Sequence, residues 1–205
     1  NWSEVARFRD VTEQDAQALR AQLGLPEDQK IILYSGNIGE KQGLESVIEA
    51  AQLLNEHPWT FVIVGQGGGK ARLEKMVGER GLTNVKFFPL QSYEALPALL
   101  KMGDCHLVVQ KRGAADAVLP SKLTNILAVG GNAVITAEAE TELGQLCDSY
   151  PGIAVCVEPE SVPALVTGIE KALAMPKVNT VAREYAERTL EKENVLSQFI
   201  ADIRG

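Results

Sequence analysis

Short apolar runs alternate with longer amphipathic stretches along almost the whole chain. The runs over 31–35, 60–64, 85–88, 106–109, 133–136 and 153–157 are rich in Ile, Val and Phe, and several are apolar nearly throughout. A strand with one wet face would alternate, so these runs fit strands buried on both faces of a parallel sheet. Between them, 44–55, 71–80, 93–102, 122–129 and 140–147 read as helices. In the first, Leu44, Val47, Ile48, Ala51 and Leu54 recur at three- and four-residue steps and make one apolar face. Gly81, Gly103 and Gly130 follow helical stretches where a left-handed C-terminal cap is expected. A polar helix over 13–23 precedes the first strand, and helices over 161–174, 181–190 and 195–203 close the chain. The closing segment mixes Arg183, Glu184, Glu187, Arg188, Glu191 and Lys192, which marks a solvated face. The pattern predicts a doubly wound, Rossmann-like α/β domain with a parallel sheet of about six strands and C-terminal helices.

Composition narrows the chemistry. The 205 residues suit one domain, and 27 acidic against 20 basic side chains leave a net charge of −7, which disfavours a nucleic-acid partner. No apolar run is long enough to cross a bilayer. Cys105, Cys147 and Cys156 are an odd, widely spaced set that suits neither a disulfide framework nor a zinc site, and they read as reduced thiols of a cytoplasmic protein. With two histidines, His57 and His106, no metal centre is expected. His106 opens a strand and reads as a core or surface residue away from the ligand edge.

In an open parallel sheet, ligands lie beyond the carboxyl ends of the strands, so the loops there carry the candidate chemistry. Gly65-Gln66-Gly67-Gly68-Gly69-Lys70 sits between a strand and a helix but matches neither the dinucleotide fingerprint nor the P-loop. It reads either as a plain turn or as backbone that approaches a nucleotide or sugar through Gly65 and Gly67. Gly36, Asn37, Gly39 and Lys41 belong to a second glycine-bearing loop, 36–43, leading into a helix; amides there could face an anion or simply turn the chain. The loop 110–121 is the most informative. Lys111 and Arg112 end a strand, small residues and Asp116 follow, and Pro120-Ser121-Lys122 starts a helix. The amides of Ser121 and Lys122, with cations nearby, predict an anion pocket of diphosphate size.

The ordered set of segments S-G-N-I-G-E-K-Q-G-L-E, V-G-Q-G-G-G-K-A-R-L, V-K-F-F-P-L and L-P-S-K-L-T-N-I-L-A-V-G-G-N-A-V-I-T resembles the C-terminal domain of family 4 glycosyltransferases of the GT-B fold. Within that family the similarity is to enzymes of colanic acid exopolysaccharide biosynthesis. The resemblance spans essentially all 205 residues. It implies that 1–205 is the donor-binding half of a retaining enzyme, with an N-terminal acceptor domain lying outside this chain and no transfer by this half alone. It also implies a sugar-nucleotide substrate (GDP-fucose), no metal or other cofactor, and a lipid-linked saccharide acceptor. The implied location is cytoplasmic, peripheral to the inner face of the bacterial inner membrane. The family's loop arginine and diphosphate lysine fall on Asn37 and Gln42, with Lys41 one place earlier. Its paired glutamates fall on Ala117 and Asn125, so both carboxylates are missing, although the Asn125 amide oxygen can accept a hydrogen bond from a ribose hydroxyl. The resemblance assigns phosphate to the Ser121 and Lys122 amides and the base edge to the backbone of Leu90. The expectation is that Lys111, Arg112 and Lys122 neutralise the diphosphate in place of the family's cations, with Asp116 near the sugar hydroxyls. Two other readings stay open: a nucleotide-sugar epimerase on the same scaffold, and a non-catalytic nucleotide-binding module.

Overall fold

A computed structural model describes residues 2–114 and 121–205. Among these, six strands form one parallel sheet: β1 (Lys30–Ser35), β2 (Trp59–Val64), β3 (Val85–Phe88), β4 (Cys105–Val108), β5 (Ala133–Thr136) and β6 (Val155–Val157). Their spatial order is β3-β2-β1-β4-β5-β6. The winding direction therefore reverses between β1 and β4, which opens a crevice at the carboxyl ends of those two strands.

The apolar runs are apolar because both faces are covered. Ile31 and Leu33 of β1 face one core with α1 (Trp2–Asp10), α2 (Glu13–Gln22), α5 (Leu96–Met102), α6 (Ser121–Ala128), α7 (Glu142–Ser149) and α9 (Thr180–Arg204). Ile32 and Tyr34 face the other, with α3 (Glu45–Leu53), α4 (Lys70–Glu79) and α8 (Val162–Ala174). Two cores on one sheet is the doubly wound architecture that the pattern implied.

Four local readings change. The segment before Glu13, left without an element, forms α1, whose Phe8 is buried. The two closing helices are one continuous 25-residue helix, because no Gly or Pro interrupts 180–204. Gly103 is extended, not left-handed. Its missing side chain instead clears the His106 ring, which a Cβ would approach to 2.8 Å. The helix read over 140–147 runs instead over Glu142–Ser149, with Thr141 as its N-cap. His106 lies in the core, and burial with the nearby Lys122 charge pushes its pKa down to about 4.

The start of α9 is fastened by one polar side chain. Asn179 is 5% exposed; its Oδ1 accepts from the Ala182 amide at 3.0 Å while its Nδ2 donates to the Gly152 and Ile153 carbonyls. Replacing Asn179 with alanine removes the cap and leaves the buried Ile153 carbonyl without this donor. Urea denaturation should show a loss of about 3 kcal/mol, since a cap and an unmet buried acceptor each cost of order 1–2.

Candidate functional site

The loops after β1 and β2 are knitted together beyond the ends of their strands. The Gly36 amide donates to the Val64 carbonyl at 3.0 Å, Ile38 to Gln66 at 3.0 Å and Gly69 to Ile38 at 2.9 Å. Gly65 donates onward to Phe88 of β3 at 3.1 Å. This close approach explains two of the glycines. A Cβ on Gly65, at φ 154°, would lie 1.9 Å from the Gly36 oxygen, and one on Gly67 would lie 2.3 Å from the Ile38 oxygen. Gly65 and Gly67 thus serve loop against loop, and the Gly36 and Gly65 amides are already used. The Gly39 amide is also used, by the Gln42 side-chain oxygen at 3.0 Å. A cavity of about 210 Å³ lies behind this seam, between Ile38, Leu44, Gly68 and Leu73.

Across the crevice, the Lys111 amide donates to the Lys41 carbonyl at 2.8 Å, tying the β4 loop to the β1 loop. Lys111 is exposed, and its stem packs on Gly43, where a Cβ would meet it at 3.1 Å. The end of β4 is held by Thr136, whose hydroxyl accepts from the Gln110 amide at 2.8 Å and donates to the Gln110 carbonyl at 3.1 Å. Lys122, in the first turn of α6, reaches back to the same crevice. Its ammonium lies 3.8 Å from the centre of the Tyr34 ring and beside Gly36. No carboxylate among the described residues pairs with it, and burial alone pushes it down to about 7. The structure therefore places the Lys122 ammonium at the β1–β4 switch point, with the Lys111 stem on Gly43 of the adjoining loop and the Asn37 side chain beside Gly39 and Gly67.

Arg112 does not join them. Its guanidinium is held by Glu158, by Glu138 at 3.8 Å and by Glu160 at 4.0 Å, and its amide donates to Glu160 at 3.3 Å. Three carboxylates already neutralise this cation, so its expected share in diphosphate neutralisation is not what the geometry favours. Glu160 holds its place with a φ of 56°, the one positive value among described non-glycine residues. Sequence reasoning missed this cage because Glu138, Glu158 and Glu160 come from loops after β5 and β6, far from Arg112 in the chain.

Ser121 is exposed at the start of α6 and Asn125 lies one turn on, half-buried; Leu90 is exposed after β3. Asp116, Ala117 and Pro120 lie outside the described residues. Tyr34 was hidden inside an apolar strand. The available signal was its place: an aromatic with a polar tip one residue before the β1 loop. Its hydroxyl donates to the Asn37 carbonyl. Among the described residues no cluster of three or more His, Cys, Asp or Glu side chains could hold a metal ion, and no helix is long and apolar enough to cross a membrane. Cys105, Cys147 and Cys156 are free thiols.

The family model described as "Glycosyl transferases group 1" matches residues 15–189. The chain is 79% identical over its whole length to WcaI of Escherichia coli K12, named as a colanic acid biosynthesis glycosyl transferase, of which it covers 50%. It is 37% identical over 102 residues to the alpha-D-kanosaminyltransferase of Streptomyces kanamyceticus, matching 48% of this chain and 26% of that protein. The chain thus spans half or less of the length of these two relatives. Its fold matches that of Anabaena Alr3699/HepE, solved in complex with UDP, with a TM-score of 0.77 and 17% identity over 97% of this chain and 54% of that one.

Proposed function

The chain belongs to the group 1 glycosyl transferases, and from that premise we propose that it is the donor-binding half of a retaining enzyme that transfers a sugar from a nucleoside diphosphate. The observation that carries this reading is the Lys122 ammonium, which has no carboxylate partner among the described residues, at the carboxyl edge of β1 and β4 with Lys111 on the adjoining loop. When the sugar leaves, negative charge develops on the diphosphate. Cations held in place beforehand lower the cost of that charge without reorganising. Lys111 and Lys122 are the neutralising side chains, Ser121 offers its amide and hydroxyl at the helix start, and Asn125 accepts from the ribose. The exposed backbone at Leu90 faces the base. The residues present ask for no metal, since the charge is met by lysines.

The donor is GDP-fucose and the acceptor a lipid-linked intermediate of colanic acid, reached through an acceptor domain of the longer protein at the inner face of the bacterial inner membrane. Supporting this finer reading are the 79% identity to WcaI and the segments shared with the colanic acid enzymes. The test is a thermal-shift panel of GDP, UDP, CDP and GDP-fucose on this chain. A ligand at 100 times its Kd adds about 2.7 kcal/mol of stability. GDP and GDP-fucose should raise Tm most, and no sugar should be transferred by this half alone. Nucleoside diphosphates that raise Tm no more than equal concentrations of inorganic sulfate overturn the reading.

A further inference from the structure

Tyr34 and Lys122 form a unit that neither the family's pattern nor the loop readings assign. Tyr34 is 2% exposed, its phenol tethered to the Asn37 carbonyl, so the ring cannot swing away from the β1 loop. The ring carries the Lys122 ammonium on its face, and the space beside both is the missing side chain of Gly36. A Cβ there would lie 3.3 Å from Lys122 Nζ and 3.4 Å from the Tyr34 hydroxyl. A cation over an aromatic face is stabilised by of order 1 kcal/mol, far less than a carboxylate partner would supply inside a protein. The amine is thus kept in place and kept wanting a counter-ion.

The charged and titratable groups around it leave it so. From β1 there is the Tyr34 phenol, which burial holds protonated. From β4 there is His106, which stays neutral above about 4. The charges of the helices packed on α6 are engaged elsewhere: on α1, Arg9 with Asp10 and Arg7 with the Tyr93 carbonyl; on α9, Arg183 with the Arg9 carbonyl. Glu184 and Glu187 of α9 form no ion pair with Lys122, and its charge is disfavoured by burial alone.

We propose that Tyr34 is a positioning residue that holds the Lys122 amine beside Gly36 as an uncompensated seat for one phosphate of the leaving group, and that donor binding is therefore proton-linked. This rests on the donor-site reading above. The phosphate supplies the missing counter-charge, and the amine takes a proton from the buffer as it binds. The sign follows. With the free amine at about 7, the seat is already cationic below that pH and binding takes up nothing. Above it, affinity falls by up to about tenfold per pH unit until the pKa of the bound state is reached.

Calorimetry of this chain with UDP and GDP at pH 8, in buffers of low and high ionisation enthalpy, reads the proton directly. The terminal phosphate, with a pKa near about 6, is fully ionised there and contributes no uptake. The wild type should take up a substantial fraction of one proton, because the free amine, at about 7, is mostly neutral at that pH. Lys122→Arg, which does not titrate, should bind with no uptake. Tyr34→Leu removes the ring that favours the cation, so the pH at which affinity begins to fall should move below 7, and Tyr34→Phe should restore it. Nucleotide binding without proton uptake by the wild type, equal uptake by Lys122→Arg, or a Tyr34→Leu chain weakened equally at every pH overturns the inference. Should neither nucleotide bind this chain, the donor-site reading fails and the proton linkage fails with it.

Discussion

Gly65→Ala should lower Tm by roughly 6–12 °C and abolish nucleotide binding, whereas Gly68→Ala, three residues away in the same glycine run, should leave Tm unchanged. The contrast follows from what a methyl group would meet. At Gly65 it lies 1.9 Å from the Gly36 carbonyl oxygen, and at Gly68 nothing lies within 4 Å. The oxygen cannot retreat alone, because the Gly36 amide is bonded to Val64 and the next turn is bonded through Ile38. Accommodating alanine therefore means parting the β1 and β2 loops, at a cost of about 3 kcal/mol for overpacking and unmet backbone groups. In a domain of this size each kcal/mol moves Tm by about 2–4 °C. The β1 loop carries Asn37 and Lys41 and borders the Tyr34–Lys122 seat, so its displacement removes the ligand site as well. Equal melting temperatures for the two variants would mean that the loops are not joined as described.

The second large effect has opposite signs for binding and for folding. Replacing Lys111 with alanine and Lys122 with methionine together should weaken GDP binding by roughly 100-fold, measured by calorimetry at moderate salt and pH 7. Contacts between a cation and phosphate contribute about 1.5 kcal/mol or more each, and about 3 kcal/mol is two decades in Kd. The same chain should nevertheless resist urea better than the wild type at pH 7. An amine whose folded pKa lies at about 7, below its ordinary value, is a base that the native state is reluctant to charge. Its destabilising effect is full below pH 7 and fades as the pH rises toward the unfolded pKa, so the gain from methionine should shrink over the same interval. A variant that lost both affinity and stability would place Lys122 among the structural residues instead.

These two results bear on how a site can work without the paired glutamates of the family. The positions that would carry them hold Ala117 and Asn125, and the loop arginine is Asn37. In the proposed reading, Lys122 at the start of α6 and Lys111 of the β4 loop supply the positive charge at this crevice. Arg112 was expected to share in that role with Lys111 and Lys122. Its guanidinium instead joins the loops after β4, β5 and β6 through Glu138, Glu158 and Glu160. Its bonds tie those loops together, while the Lys122 ammonium packs on the Tyr34 ring.

Much of this molecule was written in its residue order. Apolar runs in β1, β2, β4 and β5, with helices of one apolar face between them, determined a parallel sheet covered on both sides, because backbone polar groups and apolar side chains can both be satisfied there in few other ways. Gly81 and Gly130 marked two of the helix ends for equally local reasons. What the order of residues left open was which side chains meet. Whether Gly65 turns toward a ligand or toward the neighbouring loop, whether Arg112 or Lys122 keeps a spare charge, and whether Tyr34 is packing or part of the site depend on neighbours brought in from other strands. Charge compensation and close approach act through space over a few ångströms, so only the folded arrangement of β1, β4 and α6 decided them.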